Sequence, residues 1–455
     1  MSSMVDSDLP SKLLSILSKA ADIVRGHNFI QVYSHYDADG ITAASIVGKA
    51  LHRAGKEYRI TIFPTLIDEF MQVIESTPSE CVIVTDLGAS YIDRFEKMAC
   101  DVIVLDHHTL RGDSEKVCYA NPHMFGVDGM TSGCGATMAF LFAIAMDERN
   151  WDLAPLAMAG IAGDRQHLNG MSGFNTFVFE GAVDRGLVKP MPGSLIPVGR
   201  LYDELLISTD PYIRGVSGNR EGISRLLKDA GIPEDRDYVD LTEEESIRLS
   251  SLIAIRLIQQ GVSREKLEEL ARTKYYLPGW NTDAESLSSF LNSCGRQNMP
   301  SVGIGAGMGD PDCLKQAKEL DNTSRKQLME GIKVLDNGES IIQMENIQWF
   351  DSSSTGFTGM LCGTVMSYIG DPDKPTIGIN ASDENANVSS RGTFSQLAKG
   401  IDLAEAMKEG CASVGGEGGG HKIAAGGSFK SEKRDEFLKN VDAIVGRQKQ
   451  GKSAS

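Results

Sequence analysis

The sequence predicts an α/β protein with four parts: an N-terminal domain whose parallel sheet is flanked by helices, a mainly helical insert, a long linker helix and a smaller C-terminal α/β domain. Two observations predict it. As far as residue 170, short β-branched runs alternate with stretches of helical periodicity, as in a parallel sheet with helices on both faces. A second α/β pattern begins near residue 340, after a long stretch of helical periodicity alone.

Residues 11–27 repeat apolar side chains at helical spacing (Leu13, Ile16, Leu17, Ala20, Val24) and lead into a strand over 29–33. A helix over 41–54, a strand over 58–63 and a helix over 66–75 follow, then strands at 81–85 and 101–105. FIQVY, CVIVT and DVIVL are continuous β-branched runs, as expected of parallel strands buried on both faces. Residues 133–145 read as a helix, and the apolar run 153–163 ends in Asp164. From 215 to 300 come helical patterns at 220–230, 243–259, 264–271 and 284–294, with no metal-type cluster. A long Lys-, Glu- and Leu-rich helix over 313–335 is suited to spanning two domains. Apolar segments at 341–350, 375–382 and 388–392, helices at 359–369 and 403–409, a glycine cluster and a helix over 433–447 complete the second α/β pattern. The tail 448–455 is polar and small, as frayed ends are.

At 455 residues the chain exceeds what one core organises. Residues 1–10 are polar and acidic, unlike a signal peptide, and no apolar run approaches a membrane span. Eight cysteines lie scattered without a CxxC pair, several inside apolar runs, which argues against a zinc ribbon or a disulfide scaffold and for a reducing cytoplasm. A net charge of −17 argues against generic electrostatic binding of nucleic acid, although metal ions themselves attract phosphate. Lys422, Lys430, Lys433, Arg434, Lys439, Arg447 and Lys449 either form a basic strip or decorate a solvated helix.

Chemistry concentrates where the strands end. His35, Asp37 and Asp39 before Gly40, Asp86 before Gly88, and Asp106-His107-His108 each follow a predicted strand. In open α/β sheets such ends line the ligand crevice. One such cluster reads as a turn or cap; three in succession read as a cation site built from carboxylates and imidazoles. A calcium loop is excluded, because no second acidic pair and no closing Glu follow Asp37 and Asp39. A lone carboxylate such as Asp86 is what a ligand bridging two cations looks like. Adjacent histidines leave a strand in different directions, so one of His107 and His108 ligates and the other faces substrate. Asp106 is either a ligand or the group that fixes a histidine's tautomer. His27, His52, His123 and His167 read as surface or packing histidines, His167 standing three residues after Asp164.

SHYDADG, VTDLG, VLDHH and AGD are similar, in order and spacing, to the four motifs of the DHH phosphoesterase superfamily. VSSRGT and GEGGGHKIAAGGSF resemble its substrate-binding DHHA1 domain. The resemblance covers the chain outside the insert and implies a DHH catalytic domain over 1–215, an insert over 216–305, a linker helix over 306–337 and a DHHA1 domain over 338–455. The DADG form resembles the RecJ-type nucleases, with His35 in place of the first Asp of the bacterial version. Together with the insert and long helix it resembles the archaeal RecJ-like, GINS-associated branch. Carried over, the resemblance implies metal ligation by Asp37, Asp39, Asp86, His107 and Asp164, with His35 a further ligand and Asp86 the bridge. It implies that His108 faces the scissile phosphate. Ser390, Arg391, Gly418, Gly419, Gly420 and His421 would bind substrate.

These expectations amount to a Mn2+- or Mg2+-dependent exonuclease with two divalent cations, acting on single-stranded DNA or RNA in replication or repair. Two other functions use the same residues. One is a small-substrate phosphoesterase acting on nanoRNA, cyclic dinucleotides or phosphoadenosine phosphate, which the acidic charge suits. The other is a replisome scaffold docking with the GINS complex through the insert, against which the full set of ligands argues.

Overall fold

The computed structural model describes residues 9–453 except 113 and 192–194. The acidic N-terminal segment thus lies almost wholly outside the described residues. The chain divides into two units, Met1–Gly193 with Arg272–Asn322, and Ser194–Ala271 with Thr323–Ser455. No helix among the described residues is long and apolar enough to cross a membrane.

The first unit contains a parallel five-stranded sheet in the order β2-β1-β3-β4-β5. Its strands are β1 (Phe29–His35), β2 (Glu57–Phe63), β3 (Cys81–Thr85), β4 (Asp101–Leu105) and β5 (Cys118–Ala120). Alternate residues feed two apolar layers: Ile30, Val32, Ile83, Ile103 and Leu105 join one, Tyr33, Val82, Val84 and Val104 the other. Burial on both faces is why the strand sequences do not alternate. The order reverses between β1 and β3, and the register aligns Ser34 with Thr85 and Thr85 with Leu105. The residues just past these strands therefore emerge side by side at the switch point, where open α/β sheets bind ligands.

The helix after β1 is Ala38–Arg53, three residues earlier than periodicity predicts, because the Asp37 carboxylate caps it by accepting from Gly40 N at 3.0 Å. Asp39 thereby falls inside the first helical turn and is buried. The apolar run ending at Asp164 is a helix, Ala154–Gly163. Helix Ala284–Arg296, expected in the insert, and helix Pro300–Gly307, which was not expected, bury Leu287, Leu291, Cys294, Val302 and Ala306 in the first unit's core. A small antiparallel sheet of β6 (Lys189–Met191), β7 (Lys274–Leu277) and β8 (Thr282–Asp283) has no counterpart in the expectations.

In the second unit, helices Arg220–Ala230 and Glu243–Gln260 share an apolar core with Leu328, Ile332, Phe350 and Leu361. A six-stranded sheet runs β13-β14-β12-β11-β10-β9, with only β10 and β11 parallel. Its strands are β9 (Ile342–Gln343), β10 (Gln348–Asp351), β11 (Thr376–Asn380), β12 (Asn385–Arg391), β13 (Glu417–His421) and β14 (Ala424–Lys430). The apolar segment 341–350 is thus a hairpin, and the glycine cluster is an edge strand. The long helix is Pro311–Asp336, and the last helix, Arg434–Ser453, continues through most of the expected frayed tail.

Candidate metal centre

Asp39 sits opposite a helix N-terminus. Its Oδ2 accepts from Gly135 N at 2.6 Å and its Oδ1 from Ala136 N at 2.9 Å, the first amides of the buried helix Gly135–Met146. Such amides favour negative charge and leave each carboxylate oxygen a second lone pair. The approach depends on two glycines. A Cβ at Gly135 would lie 2.6 Å from Asp86 Cβ, and one at Gly160 would lie 2.7 Å from Asp39 Oδ1.

Asp86 follows β3 in a left-handed conformation (φ 54°), costly for a residue with a Cβ. That turn presents its two oxygens to different neighbours. Oδ1 lies 3.2 Å from His107 Nε2, and Oδ2 lies 3.5 Å from His35 Nδ1. Oδ2 is buried without a hydrogen-bond partner. An unpartnered buried carboxylate oxygen is expensive, and a cation is the group that satisfies it.

Both histidines have one nitrogen committed to a carbonyl, which can only accept. His35 Nε2 donates to Pro64 O at 3.1 Å, which turns Nδ1 toward Asp37 Oδ2 at 3.0 Å. His107 Nδ1 donates to Gly129 O at 2.7 Å, which turns Nε2 toward Asp164 Oδ2 at 3.3 Å and Asp39 Oδ2 at 3.9 Å. Three donor sets result, His35–Asp37–Asp86, Asp39–His107–Asp164 and Asp86–Asp106–His107–His108; Asp86 belongs to the first and third and lies 3.2 Å from His107 of the second. Carboxylates with imidazole suit divalent cations, and the residues present fit a pair of such ions.

Asp106 is close by but spent. Its Oδ1 accepts from His107 N, His108 N and His108 Nδ1 at 2.7, 3.2 and 2.8 Å, and its Oδ2 from Ala89 N at 2.7 Å. It orients His108, whose ring is half-exposed. His108→Ala should therefore retain nearly normal Mn2+ affinity while losing rate, whereas His107→Ala should lose affinity. Calorimetric titration of both variants checks this; equal losses would contradict it.

Without cations the cluster holds protons instead. Burial, reinforced by the Asp86 charge, pushes Asp39 up to about 7. Burial and the Asp39 charge push Asp164 well above the carboxylate range. For His35 burial opposes protonation, but Asp37 and Asp86 outweigh it and raise the ring to about 11. Burial opposes the charged His107 too, and Asp86 and Asp164 again prevail. Asp86 is driven low, the two imidazoles outweighing its burial. Cations must displace these protons, so affinity should rise with pH.

In the second unit, Arg391 on β12 and His421 on β13 both pair with Ala424 of β14 and so share one sheet face. Ser390 points the other way, fully buried, and its hydroxyl donates to Ala425 O at 2.9 Å. It ties strands together and is not available to a substrate. Gly418 and Gly420 are required by packing: a Cβ would lie 2.4 Å from Met407 O or 2.7 Å from Ala425 Cα. Gly419 alone has open space before it.

Sequence reasoning missed Gly135, Gly160, Gly129 and Gln166. The clustered glycines of SGCGA, before an apolar helix, were the available signal. His167, read as a packing residue, is buried against Glu285 (2.6 Å), and Arg272 also binds that carboxylate.

Comparison with known proteins gives the family and the fold. Residues 29–161 match the DHH family N-terminal domain, 199–271 the DHH-CID domain and 353–447 the DHHA1 domain. An uncharacterised protein of Methanocaldococcus jannaschii is 31% identical over 438 residues, covering 94% of this chain and 95% of that one. Manganese-bound RecJ of Thermus thermophilus superposes with a TM-score of 0.59 at 16% identity, over 97% of this chain but 56% of RecJ. CDC45 of Entamoeba histolytica superposes with a TM-score of 0.65 at 12% identity, over 95% and 99% of the two chains. At those identities the structural likeness speaks for the fold. The chain belongs to the DHH family, with DHH, DHH-CID and DHHA1 domains on a RecJ-like fold.

Proposed function

We propose that this protein is a divalent-cation-dependent phosphodiesterase that degrades single-stranded DNA or RNA from an end, releasing mononucleotides. The observation that carries the reading is Asp86, set between two donor triads with one buried oxygen unpartnered. His35, Asp37 and Asp86 would hold one ion and Asp39, His107, Asp164 and Asp86 the other. When bound, two divalent cations activate a water and neutralise the charge that develops on phosphate. The chain's own residues do the rest. Asp106 holds His108 Nδ1, so the ring's outer edge is free to donate to a phosphate oxygen or leaving group. The Asp106 hydrogen bond keeps that ring protonated more readily than a free imidazole, burial opposing.

Arg391 and His421, on one face of the second sheet, supply phosphate contacts, a guanidinium matching phosphate with paired hydrogen bonds. Three residues past Arg391, Phe394 leaves 64% of its surface exposed. An exposed ring near cationic groups in the chain is one way single strands are held without sequence preference, by stacking a base. Arg391→Ala and Phe394→Ala should each raise KM for long strands roughly 5- to 150-fold, about 1–3 kcal/mol per contact, and leave Mn2+ affinity unchanged. Equal loss on a dinucleotide would instead favour a small-substrate phosphoesterase, which the net charge of −17 suits. The direct test is digestion of end-labelled single-stranded DNA and RNA with Mn2+ or Mg2+. A mononucleotide ladder is expected; cleavage of dinucleotides alone would overturn the exonuclease reading.

The DADG motif, the insert and the M. jannaschii relative support a place in the archaeal RecJ-like branch acting in replication or repair. Helix Glu243–Gln260 buries Leu249, Ile253 and Leu257 and exposes Ile247, Ile255 and Ile258. That second apolar face is where a GINS-type partner would dock, and co-purification with GINS tests it.

A further inference from the structure

Behind the ligand His107 runs a buried chain of amides that the metal reading leaves unused. We propose that Gln166 is a positioning residue for His107 and Asp164, acting through the Gly129 carbonyl, with Asn175 and Thr137 holding Gln166 in turn. This rests on the two-cation reading. Gln166 Nε2 donates to Gly129 O at 2.8 Å, the same oxygen that accepts His107 Nδ1 at 2.7 Å. Gln166 Oε1 accepts from Gly133 N at 3.0 Å and Asn175 Nδ2 at 2.8 Å, and Asn175 Oδ1 accepts from Thr137 Oγ1 at 2.6 Å.

The orientation of each amide is dictated. Gly129 O can only accept and Gly133 N can only donate, so Gln166 has one workable flip, and Asn175 inherits its own from Gln166. Gln166 is 5% exposed, and Asn175 and Thr137 are fully buried, so water does not substitute for a lost partner. The carbonyl's two lone pairs are taken by Gln166 and His107, which keeps a proton on Nδ1 and turns Nε2 toward the carboxylates, so that its lone pair would face a cation once the Nε2 proton is displaced. Arg165, in a left-handed turn (φ 57°), folds the chain so that Gln166 Nε2 also comes within 3.5 Å of Asp164 Oδ2. The next residue, His167, pins the turn through Glu285. One side chain thus sets the aim of two ligands on different elements.

Gln166→Met removes the amide at similar volume, and Gln166→Glu keeps its shape and acceptor but sets an oxygen against Gly129 O. Calorimetric Mn2+ titration should show affinity weakened roughly 10- to 100-fold in each, the usual effect of losing a ligand's hydrogen-bond partner. On a His107→Ala background Gln166→Met should add much less than its loss in the wild type, only the part that acts through Asp164, because residues acting through one another do not add. A merely structural glutamine would lower the melting temperature and leave Mn2+ affinity alone. Unchanged affinity in the folded Gln166→Met protein, or the full loss repeated on the His107→Ala background, would overturn the proposal. Failure of the wild-type protein to bind Mn2+ would overturn the cation reading itself.

Discussion

Asp86→Ala should abolish hydrolysis while the protein stays folded. Among the described residues Asp86 is the carboxylate within reach of both imidazoles that face the cluster, 3.2 Å from His107 and 3.5 Å from His35. Its loss removes a donor from both ions at once, and Asp106, a neighbouring acid on that sheet edge, has both oxygens committed to backbone and His108 donors. The fold should survive, since the change removes a buried carboxylate and leaves the backbone of the turn as it is, alanine keeping a Cβ at the same positive φ. Loss should exceed the roughly 10- to 100-fold that follows removal of a ligand's supporting partner. Single-strand digestion with Mn2+ checks this; retention of more than about a tenth of the rate would be inconsistent with a shared ligand.

Gly135→Ala should inactivate almost as thoroughly without removing any reactive group. The added methyl would meet Asp86 Cβ at 2.6 Å and Asp39 Oδ2 at 2.8 Å, and neither can retreat, because Asp39 is clasped by helix amides and Asp86 lies in a tight turn after β3. Overpacking of this kind costs about 1–3 kcal/mol, and a shift of about 1 Å in a reacting group costs about 100-fold in rate. Thermal melting and Mn2+-dependent digestion, measured together, should show a modest drop in Tm beside a rate loss of about that size. Near-wild-type activity would mean that the helix Gly135–Met146 does not fix the carboxylates.

The parts of this site legible in the sequence are those dictated by burial on both faces of a sheet. β1, β3 and β4 announce themselves as unbroken β-branched runs, and polar residues just past them must then surface at one edge. Asp164 was legible as a chemical group but not as the end of a helix, since a short apolar run does not distinguish a buried helix from a buried strand. The early start of helix Ala38–Arg53 was hidden because Asp37 caps it, a role a carboxylate can share with metal ligation. Helix Ala284–Arg296 was visible as a helix, but amphipathic spacing says nothing about which core receives the apolar face. Strands of two to four residues such as β6, β7 and β8 carry too few positions for any period to register. Ser390 looked like a substrate contact beside Arg391, yet alternation along β12 sends neighbouring side chains to opposite faces. Gln166 and Gly135 act by contacts between elements distant in sequence, which no local pattern records.

The most direct test of the account is calorimetric titration of the full chain with Mn2+, at two pH values and in buffers of differing ionisation heat. Two ions should bind per chain, sharing Asp86. Protons should be released as they bind, because His35, His107 and the high-pKa Asp39 and Asp164 must give them up. Affinity should be weaker below the Asp39 value of about 7 and stronger above it, since the cation competes with protons. A single ion bound, or binding without proton release and indifferent to pH, would contradict it.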